Sequence, residues 1–165
     1  MKWLKLTAYS IFCFSIFLSN SSCEKSKDNK VQIEFKNLNI ALTGGQEVPA
    51  NASTASGSMD VLYSRETRTL SYTVKWSGLP VPPHLMHIHG LAPTGYAAGV
   101  VQTILSAANP SKFPANGGSY SGTLLVDGVV IKEADLLNGL YYMNIHTPAP
   151  YYPGGEIRGQ ITFPK

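Results

Sequence analysis

From Leu38 onward, short runs of β-branched and aromatic residues alternate with Gly, Pro, Asn and Ser. The punctuation recurs at intervals of about ten residues, the pattern of an all-β sandwich or barrel rather than of alternating strands and helices. The clearest strand covers residues 69–76, where Leu70, Tyr72, Val74 and Trp76 alternate with Thr69, Ser71, Thr73 and Lys75. A period of two places the four apolar side chains on one face, directed at a core. The preceding run, Ser56–Ser64, connects to it through Arg65-Glu66-Thr67-Arg68, a short polar link suited to an antiparallel hairpin. Further strands are predicted at 38–43, 85–89, 100–105, 119–126, 140–146 and 156–163. The fold class expected is all-β, an antiparallel β-sandwich of about eight strands.

One segment departs from this pattern. Residues 132–139, KEADLLNG, are rich in helix formers and end in Asn138-Gly139, which predicts one short helical turn capping an end of the sandwich. The glycine pairs Gly44-Gly45, Gly117-Gly118 and Gly154-Gly155 do not stand between a strand and a long helix. They read as turns needing positive φ rather than as a phosphate cradle.

The first 22 residues follow a different rule. Lys2 and Lys5 precede an uncharged run at 6–18 and then Ser19, Asn20, Ser21 and Ser22, the layout of a secretion signal. The uncharged run spans about 20 Å as a helix, short of the ~30 Å hydrocarbon core of a membrane. Cys23 follows, and then the polar string EKSKDNK, which reads as a tether extending to residue 37. The folded domain is expected at 38–165. A Cys at the end of such a leader resembles bacterial lipoprotein precursors, in which that Cys becomes the lipidated first residue. Here Asn20 stands where a Leu is common. The other reading is an ordinary cleaved leader with Cys23 as a free thiol. Cys13 lies inside the leader, so the mature chain holds no partner for an internal disulfide.

Composition narrows the function classes. Of the 165 residues, 14% are charged and 10% aromatic, against about 25% charged in average soluble domains, so a packed core is expected and a disordered or coiled-coil chain is not. The formal charge of +3 drops to +1 once Lys2 and Lys5 are removed with the leader. No nucleic-acid footprint survives that subtraction.

All four histidines fall in two short segments, His84, His87 and His89 in HLMHIHG and His146 in MNIHT. His87 and His89, two apart on a strand, project to one face with Cα atoms about 6.6 Å apart, close enough for both rings to meet one ion. Met86 and Ile88 take the opposite face. In the second segment Tyr141, Met143 and Ile145 oppose Tyr142, Asn144 and His146. His146 becomes a third ligand only if the two strands are neighbours. His84 follows Pro82-Pro83 and is out of parity with His87, so it reads as a loop residue and an optional ligand. Three imidazoles suit Cu or Zn better than Mg or Ca, and an open fourth position would be the basis of any chemistry. The plainer reading is of surface histidines that bond neighbouring loops. Glu156 and Arg158 share a face of the last strand and read as a salt bridge or loop clamp. No Ser/His/Asp order and no distinctive carboxylate pair is present.

With these residues assembled, the body resembles the CHRD domain family, named after chordin and widespread in bacterial secreted proteins. The likeness runs through ALTGGQEVPANASTASG, TLSYTVKWSGL, HIHG, SGTLL and GLYYMNIHTPAPYYPGGEIRGQI. The family pattern falls on His87, His89 and Gly90, on Gly139, Tyr141 or Tyr142, Asn144, His146 and Thr147, and on Gly155, Glu156, Arg158, Gly159 and Gln160. His84 is outside it. The resemblance implies an all-β module and carries no general activity. A fainter resemblance is to copper-zinc superoxide dismutase, to whose copper ligands and active-site Arg only His87, His89, His146 and Arg158 would map. Residues 91–99, LAPTGYAAG, hold neither His nor Asp, so that enzyme's long zinc-binding loop is absent.

Two functions are therefore expected. The first is a lipid-anchored binding or structural module of the bacterial cell envelope, outside the cytoplasm, whose Tyr, His and Asn face contacts a metal, a glycan or another envelope protein. The loop Pro148-Ala149-Pro150-Tyr151-Tyr152-Pro153 offers rigid aromatic contact area for such a partner. The second is a mononuclear copper oxidoreductase, with His87, His89 and His146 as ligands and Arg158 steering an anion.

Overall fold

The computed structural model describes residues 32–106 and 113–164; the leader, Cys23 and the polar string to residue 31 lie outside the described residues. Among the described residues eight strands are present: β1 (Glu34–Thr43), β2 (Ser56–Ser64), β3 (Thr69–Ser77), β4 (Leu85–Gly90), β5 (Val100–Leu105), β6 (Gly118–Leu125), β7 (Tyr141–His146) and β8 (Ile157–Ile161). All pairings are antiparallel, in the order β5-β4-β7-β8-β1-β2-β3-β6. The strands expected to form a sandwich are thus parts of one sheet, with Thr43 of β1 paired to Arg158 of β8. The sheet rolls until its end strands approach. Gln102 of β5 donates to the Thr123 carbonyl of β6 at 2.8 Å and accepts from the Tyr72 hydroxyl of β3 at 3.1 Å. This nearly closed barrel occupies edge groups that would otherwise invite pairing with another chain.

The alternation along β2 and β3 does what a period of two requires. Met59, Val61 and Tyr63 from β2, with Leu70, Tyr72, Val74 and Trp76 from β3, are buried, whereas Leu62, Ser71 and Lys75 are exposed. Across the core stand Met86, Ile88, Met143, Ile145, Ile157 and Ile161 from β4, β7 and β8. Each such side chain contributes about 1.5–3 kcal/mol by leaving water.

The first strand starts at Glu34, ahead of the position read from the sequence, and the reason is local. A bulge between Asn37 and Ile40 interrupts the alternation, with Asn39 at φ 59° and its N–H bonded to Asp60 Oδ1 at 2.8 Å. Upstream of the bulge, Phe35 anchors the strand by stacking on Tyr63 and meeting Phe163 edge-on. The helical turn α1 (Glu133–Leu137) forms as its composition suggests, burying Leu136. Its Glu133 accepts from Tyr63 Oη at 2.8 Å and pairs with Arg65 at 2.6 Å, tying the turn to β2 and the β2–β3 link.

Strands β7 and β8 depart from the alternating rule, because every residue of both is buried. Their apolar positions join the core, so their polar positions are covered from the other side. That covered polar face holds the histidines.

Candidate metal centre

Strand register assembles the site. His87 of β4 lies opposite Asn144 of β7, which in turn lies opposite Arg158 of β8. In the neighbouring rows His89 faces Tyr142, which faces Gln160, and Leu85 faces His146. These side chains share one face because successive residues of a strand alternate sides. Three connections cover that face: the 3-10 turn Gly44–Gln46 with the loop after it, the β4–β5 loop, and the β7–β8 loop. The β4–β7 pairing that brings His146 to the other two is therefore the decisive element of the fold.

One ring nitrogen each of His87, His89 and His146 falls within 4.8 Å of the other two. The ring centroids of His87 lie 5.4 Å from those of His89 and 5.1 Å from those of His146, edge to face. Backbone carbonyls fix two of the rings. His89 Nδ1 lies 2.9 Å from the Ala98 oxygen and His146 Nδ1 2.9 Å from the Pro153 oxygen. A carbonyl only accepts, so each Nδ1 carries the proton and, in a neutral ring, each Nε2 offers a lone pair. This is the tautomer that outer partners impose on metal-ligating histidines. His87 Nδ1 is buried with no hydrogen-bond partner among the described residues, an unusual condition that a bound ion would relieve.

Burial keeps the rings neutral. It pushes His146 down to about 4, helped by the nearby His87, His89 and His84 and opposed by the Pro153 carbonyl. His87 and His89 are lowered for the same primary reason. Neutral imidazole is the form that binds a metal.

The environment contains groups of both signs. Glu47, brought in by the loop after the 3-10 turn, is 8% exposed. Burial raises its carboxyl to about 7 against the opposing influence of Arg158 and a side-chain hydrogen bond from Asn144. Gly155 makes room for it: a Cβ there would lie 2.5 Å from Glu47 Oε1, and the residue sits at φ 132°. Arg158 is 2% exposed. Its guanidinium carbon stands 3.4 Å from the centroid of Tyr142, and the Tyr142 ring stacks on His89 at 4.8 Å with only 2° between planes. Arg158 also donates to Gln160, whose amide holds the Ala92 and Gly139 carbonyls.

Glu156 and Arg158 each have other partners. Glu156 takes hydrogen bonds from Ser53 at 2.7 Å and from Thr147, drawing two covering loops together. Asn144, singled out in the closing sequence block, lies at the middle of the face, its Oδ1 3.1 Å from His89 Nε2 and 3.0 Å from His146 Nε2. His84 stands apart from the three converging nitrogens, with its backbone N–H donating to the His146 carbonyl at 3.0 Å. Glu47 and the two carbonyls escaped the sequence reading. Glu47 had one signal, a lone acid in a loop of small and apolar residues.

A CHRD domain model matches residues 38–161, from within β1 to the end of β8. The chain belongs to the CHRD domain family. No curated protein and no solved structure matches it significantly. The matched span contains all eight strands' principal pairings and every residue of the histidine cluster. CHRD domains are in general binding or structural modules, typical of secreted and extracellular proteins.

Proposed function

We propose that this CHRD domain is a lipid-anchored module outside the cytoplasm, held at the bacterial cell envelope through Cys23, whose His87, His89 and His146 bind one copper or zinc ion. The observation that carries the metal reading is the convergence of three ring nitrogens within 4.8 Å, two of them on rings whose Nδ1 protons point at backbone carbonyls. A donor set of neutral imidazoles favours these metals over magnesium or calcium. Beside the centre, a cleft of about 240 Å³ lined by Glu47, Val48, Tyr151, Tyr152 and Pro153 offers aromatic surface to a glycan or an envelope protein.

A second reading, a mononuclear copper oxidoreductase, draws on the same imidazoles. Its anion-steering group would be Arg158, which is sealed between Tyr142 and Gln160 rather than presented to solvent. The binding module is therefore preferred.

Metal analysis of protein purified under replete conditions tests the proposal. One equivalent of Cu or Zn in the wild type, absent from a His87→Ala/His89→Ala/His146→Ala variant, supports it; no bound metal with unchanged stability in the variant rejects it. Redox turnover by the copper-loaded protein would favour the enzyme. Membrane fractionation of wild type against Cys23→Ser tests the anchor, with release of the variant as the expected result.

A further inference from the structure

We infer that Asn144 is a fourth protein ligand of this centre through its Oδ1, so that the metal sits in a closed shell of three nitrogens and one oxygen. The inference rests on the metal-binding reading above and deepens it. It makes the site a structural clamp rather than an open catalytic position.

The first support is distance. Two ligand atoms bonded to one ion at ~2.0–2.1 Å stand about 2.9–3.4 Å apart, whether the angle between them is square or tetrahedral. Asn144 Oδ1 stands 3.1 Å from His89 Nε2 and 3.0 Å from His146 Nε2. Both separations fall in that interval.

The second support is a hydrogen-bond mismatch. The Nδ1 protons of His89 and His146 are committed to the Ala98 and Pro153 carbonyls. Both Nε2 atoms therefore present lone pairs to Asn144 Oδ1, which also has only lone pairs to offer. As placed, the amide turns Oδ1 to both rings and its NH2 side toward Glu47. Acceptors thus meet from three directions around one point, with the unpartnered His87 Nδ1 close by. A cation at that point satisfies all of them.

The third support is position. Asn144 is the cross-strand partner of His87 and two residues from His146 on the same strand, so one ion in front of it touches both strands. Through the carbonyls of Ala98 and Pro153, and through Glu47, that ion also braces the three covering loops. A centre with four protein ligands is the arrangement of structural sites, whereas catalytic sites keep one position open.

Zinc affinity, measured by competition with a chromophoric chelator, and the visible spectrum of the Co(II)-loaded protein test the inference in the wild type, Asn144→Ala and Asn144→Asp. The wild type is expected to bind one Co(II) with the intense bands of four-coordination. Asn144→Ala should bind zinc roughly 10- to 100-fold more weakly and show shifted cobalt bands as water replaces the amide. Asn144→Asp, which keeps an oxygen in place, should retain four-coordinate bands and bind at least as tightly. Wild-type affinity and spectrum in Asn144→Ala would remove Asn144 from the shell while leaving the imidazole centre standing. If Asn144→Ala does not fold, a tenfold or greater loss of affinity in folded Asn144→Asp overturns the inference. Absence of zinc, cobalt and copper binding in the wild type overturns it together with the metal reading of the proposed function.

Discussion

Strands β2, β3 and β6 and strands β4, β7 and β8 obey the same pleat and use it differently. In the first group one face builds the core and the other meets water with Ser71, Lys75, Ser119, Ser121 and Thr123. A groove of about 580 Å³ runs over that open face, lined mainly by hydroxyls and aliphatic side chains. In the second group the face turned away from the core is covered too, and it carries His89, Asn144, His146, Arg158 and Gln160. Burying polar and charged groups costs free energy unless they are paired, and a fold that does so on one half only has concentrated its chemistry there. The contrast teaches that the site is the second face of the sheet rather than a cavity in the core.

Two basic residues on outward positions give the strongest test of this contrast. Arg158→Met should cost about 1–3 kcal/mol, because it leaves the buried Gln160 Oε1 without its donor, whereas Lys75→Met on β3 should stay within about 0.5 kcal/mol. Urea unfolding of the two variants measures the difference, and equal effects would erase the distinction between the faces.

The acid response of the metal-free protein comes next. His146 titrates near 4 in the fold and near 6.5 when unfolded, so the unfolded chain takes up the proton first and stability falls as pH drops through that window. Glu47 acts in the opposite sense. Its carboxyl is raised from 4.5 to about 7, so the folded state takes the proton first and its contribution is lost as pH rises through that range. The two compensate in the wild type. Glu47→Gln should therefore gain stability with rising pH between 4.5 and 6.5 more steeply than the wild type, by up to about 1.4 kcal/mol per pH unit. Matching slopes in unfolding titrations would contradict the opposition.

Metal should stabilise only the protein with an intact cluster. At a free concentration 100 times Kd the gain is about 2.7 kcal/mol, on the order of 10 °C for a domain of this size. Differential scanning calorimetry with and without zinc should show that shift in the wild type and none in the triple histidine variant. The smallest effect belongs to the open face: Ser71→Ala should change stability by less than about 0.5 kcal/mol, and a larger change would mean that this face is also engaged.

How much of this was written in the sequence follows from the range of each interaction. Strands β2 and β5 begin and end where their apolar and polar runs do, since alternation is a local signal. The start of β1 was hidden by the bulge at Asn37 and Ile40, which breaks the period of two. His87 and His89 could be assigned to one face by parity alone. Their meeting with His146 depended on β4 and β7 becoming neighbours across more than fifty residues, which no local pattern encodes. Asn144 entered through the closing block of the family resemblance. Glu47 stood out only as a lone acid in its loop, because it reaches the site from about a hundred residues before its partners and its importance comes from burial that only the closed sheet creates.

Anomalous diffraction at the zinc or copper edge, from crystals grown with that metal, bears most directly on the histidine cluster. The expected result is one peak about 2.0–2.1 Å from a nitrogen of each of His87, His89 and His146. A map without a peak among the three rings, from protein whose metal supply was replete, would contradict the metal centre.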